Sequence, residues 1–414
     1  TANPEVPFRN GQATADSANS STWSTIVARL DQKITSRNTA GFSYNQNPLQ
    51  VTIAEPVPAL GTSSRIGGSK QYNWTDTHIV SNTIINEVRV SFFNFDNSRY
   101  GNSGRPQSTF TDAVGMDLGA DAASRKSYRQ LPRISVTGFI YGDGGTVGST
   151  YVDDSRQQRW LHFRDNLSVQ YRKHTFKFGY DHRFKRDARL PASAGIGSQQ
   201  TYNGQYTGEA FADFLMGFPQ GTARFTAGVP LLDRRYNELG VFAQDSYKVS
   251  QRLTLTFGLR FDRLSPRREV HGAFDVFDPG TGAIVVPDQQ SLSLIHPAFP
   301  KSIPFKTAEQ AGFPRTLLNP ARTLAPRIGF AYRASQRGNL VVRGGWGTYS
   351  VDAGTSLNNF RLFDSGPFSL TETFLNPGRL IGATPLVTLD HPFPTGLGAL
   401  PASVSAGGAP PNIG

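Results

Sequence analysis

The residues best suited to metal or proton chemistry are seven histidines: His78, His162, His174, His182, His271, His296 and His391. A metalloprotease-type site needs two histidines one helical turn apart, with a glutamate between them, so that all face one ion. No pair here has that spacing, and none stands beside a carboxylate cluster. Each reads as a surface or interface histidine. Asp153-Asp154 offers hard oxygen ligands of the kind Ca²⁺ prefers, but the glycine and closing glutamate of an EF-hand loop are missing, so the pair reads as a solvated loop. Gly344, Gly345 and Gly347 surround Trp346 and invite comparison with a phosphate cradle. On a strand such glycines mark a bend or close packing instead. No G-x-S-x-G elbow, Walker loop or dinucleotide fingerprint occurs. With no cysteine in the chain, thiol chemistry, a disulfide framework and Cys-ligated metal are excluded. The expectation is no catalytic residue, no cofactor and no metal.

Ligand contact is the remaining chemistry. Arg29, Asp31, Arg89, Lys177, Asp181, Arg183, Arg260, Asp262, Arg333 and Arg343 alternate with apolar residues and so share a polar face. They could guide a ligand or hold a plug; the simpler reading is a hydrated wall whose charges pair with one another. Tyr100, Tyr141, Tyr151, Tyr202 and Tyr206 could stack on a ligand or pack loop against loop. The formal charge is +11. The cations are scattered singly rather than massed into a stripe, which argues against a nucleic-acid partner.

The elements that carry these residues are strands. From Leu253 to Phe261 the odd positions are Leu, Leu, Phe, Leu, Phe, and the even ones Thr254, Thr256, Gly258 and Arg260. Alternate side chains of a strand point to opposite faces, so one face is apolar and the other polar. The length suits a tilted strand crossing a bilayer. The same pattern recurs at 167–172, 176–184, 328–333 and 340–349, and more weakly at 26–30, 42–44, 72–78 and 88–92. No run of roughly 18 apolar residues provides a membrane helix, and the hydrophobic share is only 37%.

Alternation alone would also fit a soluble β-sandwich. The spacing separates the two. Strand pairs are joined by brief polar turns near 36–38, 81–83, 172–174, 248–252 and 334–339, whereas far longer connections run across 46–70, 97–155, 187–234 and 264–320, and from 353 onward. Long structureless loops are uncommon in compact soluble domains. Short turns on one side and long loops on the other is the layout of an outer-membrane barrel. Gly142–Gly145 and Gly195–Gly204 have turn composition rather than that of an interdomain linker.

Four segments resemble Oar-like TonB-dependent transporters. Val241-Phe-Ala-Gln-Asp-Ser-Tyr-Lys-Val249, followed by Arg252–Asp262, is similar to that family's FxQDxYK strand turning into LTLxxGLRYD. Ala325–Tyr332 and Val342–Tyr349 are similar to PRxGFAY and RGGYGxYYD. Lys173–Tyr180 and the loop piece Phe211–Gly217 complete the set. The resemblance runs over most of the chain, from about Trp23 to Asp352. The resemblance implies a barrel of roughly 22 strands around a plug, ligand uptake across the outer membrane, and energy from the TonB complex.

Only about ten to twelve strands can be placed, no plug or TonB box is recognisable, and Ala409–Gly414 is loop-like. The expectation is therefore an all-β, antiparallel, up-and-down transmembrane barrel over 1–414, present as a fragment with long extracellular loops. Its partners would be outer-membrane lipid, a plug in the parent chain, the TonB complex reached through the missing N-terminal part, and an unidentified extracellular ligand. The alternatives are a structural or adhesive barrel and, less favoured, a soluble carbohydrate-binding β-protein.

Overall fold

The computed structural model describes residues 8–9, 12–13, 19–54, 62–100, 133–138, 146–147, 154–190, 199–227, 232–296, 299–335, 340–349, 367–378, 385–393 and 403–406. Tyr141, Tyr151, Asp153, Gly142–Gly145 and Ala409–Gly414 lie outside them. The wall consists of ten strands. β1 is interrupted, Ser20–Trp23 and Ile26–Lys33; then come β2 Asn38–Ala54, β3 Thr62–Ser81, β4 Ile84–Tyr100 and β5 Asp154–Tyr171. β6 His174–Leu190, β7 Leu232–Lys248, β8 Leu253–Leu264, β9 Ala321–Arg333 and β10 Val341–Gly347 complete it. Each strand pairs antiparallel with its neighbour in sequence, so the sheet is a continuous meander. Arg268–Glu269 adds a short extension beside β7. Among the described residues β1 and β10 are not bonded to each other, so the sheet is a partial barrel.

The register puts the alternation into one continuous pattern. One face carries Phe42, Trp74, Phe92, Phe163, Phe178, Phe257, Leu259, Phe330 and Trp346, between 37% and 63% exposed. Leu255 shares that face and is half-buried. The opposite face carries Arg29, Ser43, Asn73, Arg89, Arg164, Asp181, Arg260 and Arg343. Crowding tells which face is concave. Ser91, His162, Asp262 and Ala325 on the polar face are 9% exposed or less. The apolar face is therefore convex and the polar face lines the interior, as in a barrel whose core is replaced by lipid outside and polar groups inside.

The connections differ from expectation in two ways. Residues 46–70, read as a loop, belong largely to β2 and β3, which stay paired from Asn38↔His78 to Ala54↔Thr62. A bilayer needs only about 9–11 tilted residues, and the ladder continues past it. Here both faces meet water, so backbone pairing goes on without hydrophobic alternation. The longer connections also carry structure of their own. Val276–Asp278, Ala283–Val286 and Phe305–Thr307 form a three-stranded sheet, and a second, six-stranded sheet joins Arg133–Val136, Gln199–Tyr202, Gly221–Ala227 and Ser369–Leu375 with Thr146–Val147 and Ser403–Ala406. Apart from Ala188, Leu232 and Ala325, every buried hydrophobic among the described residues lies in these connections. Phe211–Gly217, expected as loop, is an α-helix, Ala210–Met216, closed by Gly217 in the left-handed conformation.

Candidate functional site

The inner wall of β4–β8 is the most elaborate polar surface. Two cross-strand rows build it. Arg89, Arg164, Asp181, Gly240 and Asp262 are successive register partners, as are Ser91, His162, Arg183 and Glu238 in the adjoining row. Asp181 lies 3.1 Å from both Arg164 and His162. Glu238 lies 3.6 Å from Arg183 and also contacts Lys185. Asp187 bridges Arg234 at 3.3 Å and Arg156 at 3.9 Å. Arg260 contacts Asp262 at 2.8 Å, and Arg29 contacts Asp31 at 2.7 Å. Charges in low dielectric need such partners, so most of the wall is self-neutralised.

Two glycines make room on this wall. A Cβ on Gly179 would overlap the Phe242 ring lying across it, and one on Gly240 would overlap the Arg260 guanidinium. These small residues let long side chains lie flat on the wall. Gly344 is similar on the outer face, where a Cβ would stand 2.5 Å from the Phe330 ring. The phosphate-cradle reading of that segment gives way to close packing.

A cleft of about 670 Å³ opens on this wall, lined among others by Asn73, Arg89, Arg156, Arg164, Arg183 and Lys185. The Arg89 Nε is buried with no hydrogen-bond partner among the described residues, a group that water or a ligand oxygen would complete. Cations outnumber carboxylates in this lining, which favours polar or anionic occupants. Among the described residues no group of three or more metal-ligating side chains converges.

In space the candidate residues separate into groups. Arg89, Asp181, Arg183, Arg260 and Asp262 come together on the β4–β8 wall. Arg29 and Asp31 sit near the β1 edge, and Arg333 and Arg343 on β9 and β10 at the other. Lys177 shares the inner face, nearer the turn. Tyr202 is fully buried, donates to Gln200 at 2.7 Å and meets Phe214 edge-on. Tyr206 packs on Phe218. Both therefore hold loop against loop. Three histidines each meet a single carboxylate: His162 with Asp181 at 3.1 Å, His174 with Asp245 at 2.7 Å and His391 with Asp390 at 3.1 Å. Arg156, His162, Arg164, Lys185, Arg234 and Glu238 were not singled out by alternation, because their roles depend on register between strands far apart in sequence.

The family model for an outer membrane beta barrel domain matches residues 1–414. The chain belongs to this outer-membrane β-barrel family. Its place is therefore the outer membrane of a Gram-negative cell. Solved structures with a similar course include the copper transporter OprC, at 10% identity and TM-score 0.43, covering 85% of this barrel and 42% of OprC. Another is the outer membrane transporter YddB from Escherichia coli, at 8% identity and TM-score 0.43, covering 87% of this barrel and 33% of YddB. The translocator domain of autotransporter NalP from Neisseria meningitidis matches at 8% identity and TM-score 0.27, over 82% of this barrel and 77% of that domain. The barrel thus spans less than half the length of the first two. No curated protein matches.

Membership sets a topology test. Periplasmic turns of such barrels are short and extracellular loops long. The links at 172–173 and 249–252 are short, and the segment 265–320 is long. Cysteines introduced at exposed Gln251 and exposed Gln290 should label oppositely, against a cysteine-free background. An impermeant maleimide on intact cells should reach only Gln290→Cys. Labelling of both positions from outside would refute the topology.

Proposed function

We propose that this barrel is the wall of a TonB-dependent receptor that takes up a ligand, as yet unidentified, across the outer membrane. The cation-rich interior cleft carries the reading. A purely structural wall has no need of a 670 Å³ recess with more guanidinium and ammonium groups than carboxylates. The four motif segments resembling Oar-like transporters support it. In this reading the inner wall holds a plug supplied by the parent chain, and the long connections meet the ligand first. TonB would act on the plug and not on the wall. The barrel performs no covalent chemistry.

The test is genetic and uses whole cells. Strains lacking this barrel, lacking TonB, or lacking both should share one uptake defect across a panel of metal chelates, glycans and peptides. The double deletion should be no worse than either single one. A barrel deletion that leaves every uptake unchanged but abolishes attachment to a surface would establish the adhesive alternative instead.

A further inference from the structure

The outer face carries a feature that neither transport nor a hydrated interior explains. Lys70, Asn94, Arg159, Arg186, Arg235 and Arg268 are consecutive register partners in one cross-strand row. All six project from the convex face, since they share the parity of Tyr72, Phe92, Leu161 and Phe184. Like charges directly opposite on a sheet destabilise it, yet here four arginines stand side by side. Few carboxylates stand beside them, although Asp96, one step above the row on the same face, accepts from Asn94. Arg186 and Arg235 share one carboxylate, Asp233, at 3.0 and 3.3 Å. Arg159 donates to the neutral Asn94 side chain at 2.7 Å. Lys70, Arg159, Arg235 and Arg268 are exposed.

The row sits at a particular height. One step nearer the turns is a row of Tyr44, Tyr72, Phe92, Leu161 and Phe184. On β8 and β9 the paired Arg263 and Arg322 likewise stand directly above Phe261 and Leu324. The cations thus follow the upper rim of the apolar belt, on the long-connection side. Nearer the turns the same face differs: it carries Asp76, Asp165 and Asp245 among its apolar residues, and from the row of Asp76 and Asp165 down to the turns no Lys or Arg projects outward among the described wall residues. A cleft of about 530 Å³ joins the two chemistries, with Arg159, Arg186 and Arg235 beside Phe92, Leu161 and Phe184.

We propose that this collar is a binding site for a phosphorylated glycolipid of the outer leaflet. The arginines would hold the headgroup phosphates in charge-assisted, bidentate contacts, and the acyl chains would lie on the aromatic belt beneath. Charge complementarity selects the occupant. Only an anion fixed at the belt's upper rim meets both the cationic row and the apolar surface below it. The inference rests on the outer-membrane placement and not on TonB-dependent uptake.

The test uses the protein purified from outer membranes in mild detergent, with lipid A as the probe and dephosphorylated lipid A and inorganic phosphate as comparators. Binding is read by native mass spectrometry. Lipid A should be retained at least about tenfold better than its dephosphorylated form, the discrimination one good ionic contact provides. In Arg159→Gln/Arg186→Gln/Arg268→Gln the discrimination should fall to near unity, with the heat-modifiable band unchanged. If that variant does not fold, Asp233→Asn serves, because it removes the one shared carboxylate and should tighten lipid A binding. Equal retention of both lipids by the wild type would overturn the proposal. So would inorganic phosphate displacing lipid A at equal concentration, since the site would then recognise free phosphate, or an Asp233→Asn variant that binds lipid A no better.

Discussion

Replacing Leu259 by arginine is expected to cost about 2–4 kcal/mol of folding stability in a bilayer, the depth-dependent penalty for a cation on the lipid face. Leu259 is 47% exposed on the convex face, and its register partners are Ala243 and Pro326. Neither partner can neutralise a guanidinium. Phe257 is a gentler position although it is equally exposed, because Asp245 stands opposite it on β7. An arginine there could pair with that carboxylate, so the cost at Phe257 should be smaller. Thr256 points inward, where its hydroxyl lies 3.3 Å from that of Ser246. Thr256→Arg joins a polar wall and should cost less than about 1 kcal/mol, as a surface pair would. Denaturant midpoints for folding into phospholipid vesicles rank the three. If Thr256→Arg proves as costly as Leu259→Arg, the faces are reversed and the membrane reading fails.

That ranking draws on information of two kinds, and only one of them was legible in the chain itself. The segment 253–261 alternates strictly, and β8 covers it. Alternation is visible because one face meets lipid and the other polar groups. Around Gln50 and Ile66, β2 and β3 stand in water on both sides, although they remain partners. No periodic signal survives there, and the segment read as loop. The helix Ala210–Met216 was hidden for another reason. Glu209 at its N-cap makes no side-chain capping bond, so no start signal precedes the short apolar run.

The interior shows the same division. Parity within a strand correctly grouped Arg89, Asp181, Arg183, Arg260 and Asp262 on one face. It could not show that Glu238 on β7 meets both Lys185 and Arg183 on β6. Register links strands about 50 residues apart through a connection with its own fold, and turn chemistry at short hairpins does not determine it. The outward arginines were missed similarly. Each interrupts the pattern at a strand's upper end, and their alignment is visible only across five strands.

The second large effect concerns pH and lies in the connection between β8 and β9. Burial alone pushes the Asp275 carboxyl up to about 7. It sits between Phe274, packed with Val285, Ala308 and Leu317, and Val276, which packs against the same cluster. A carboxyl raised this way favours folding only while it is protonated. The associated stability is fully present below its unfolded value near 3.9 and is lost as pH climbs towards 7. Asp278 and Asp288 do not confuse the window. The Thr281 hydroxyl holds Asp278 low, and Arg315 and Ser291 outweigh burial at Asp288, so both stay ionised above pH 4. Asp275→Asn removes the ionisation while keeping size. At pH 8 it should stabilise this unit by no more than about 4 kcal/mol, at 1.36 kcal/mol for each pKa unit. Part of that gain is offset by burying an amide. At pH 4 that gain is absent and the variant should be no more stable than the wild type. Proteolysis within residues 265–320, measured on the folded protein in detergent, reports the difference. Wild-type cleavage should accelerate from pH 5 to pH 8 and the variant's should not. Equal rates for the two at every pH would show that Asp275 is solvated and carries no such penalty.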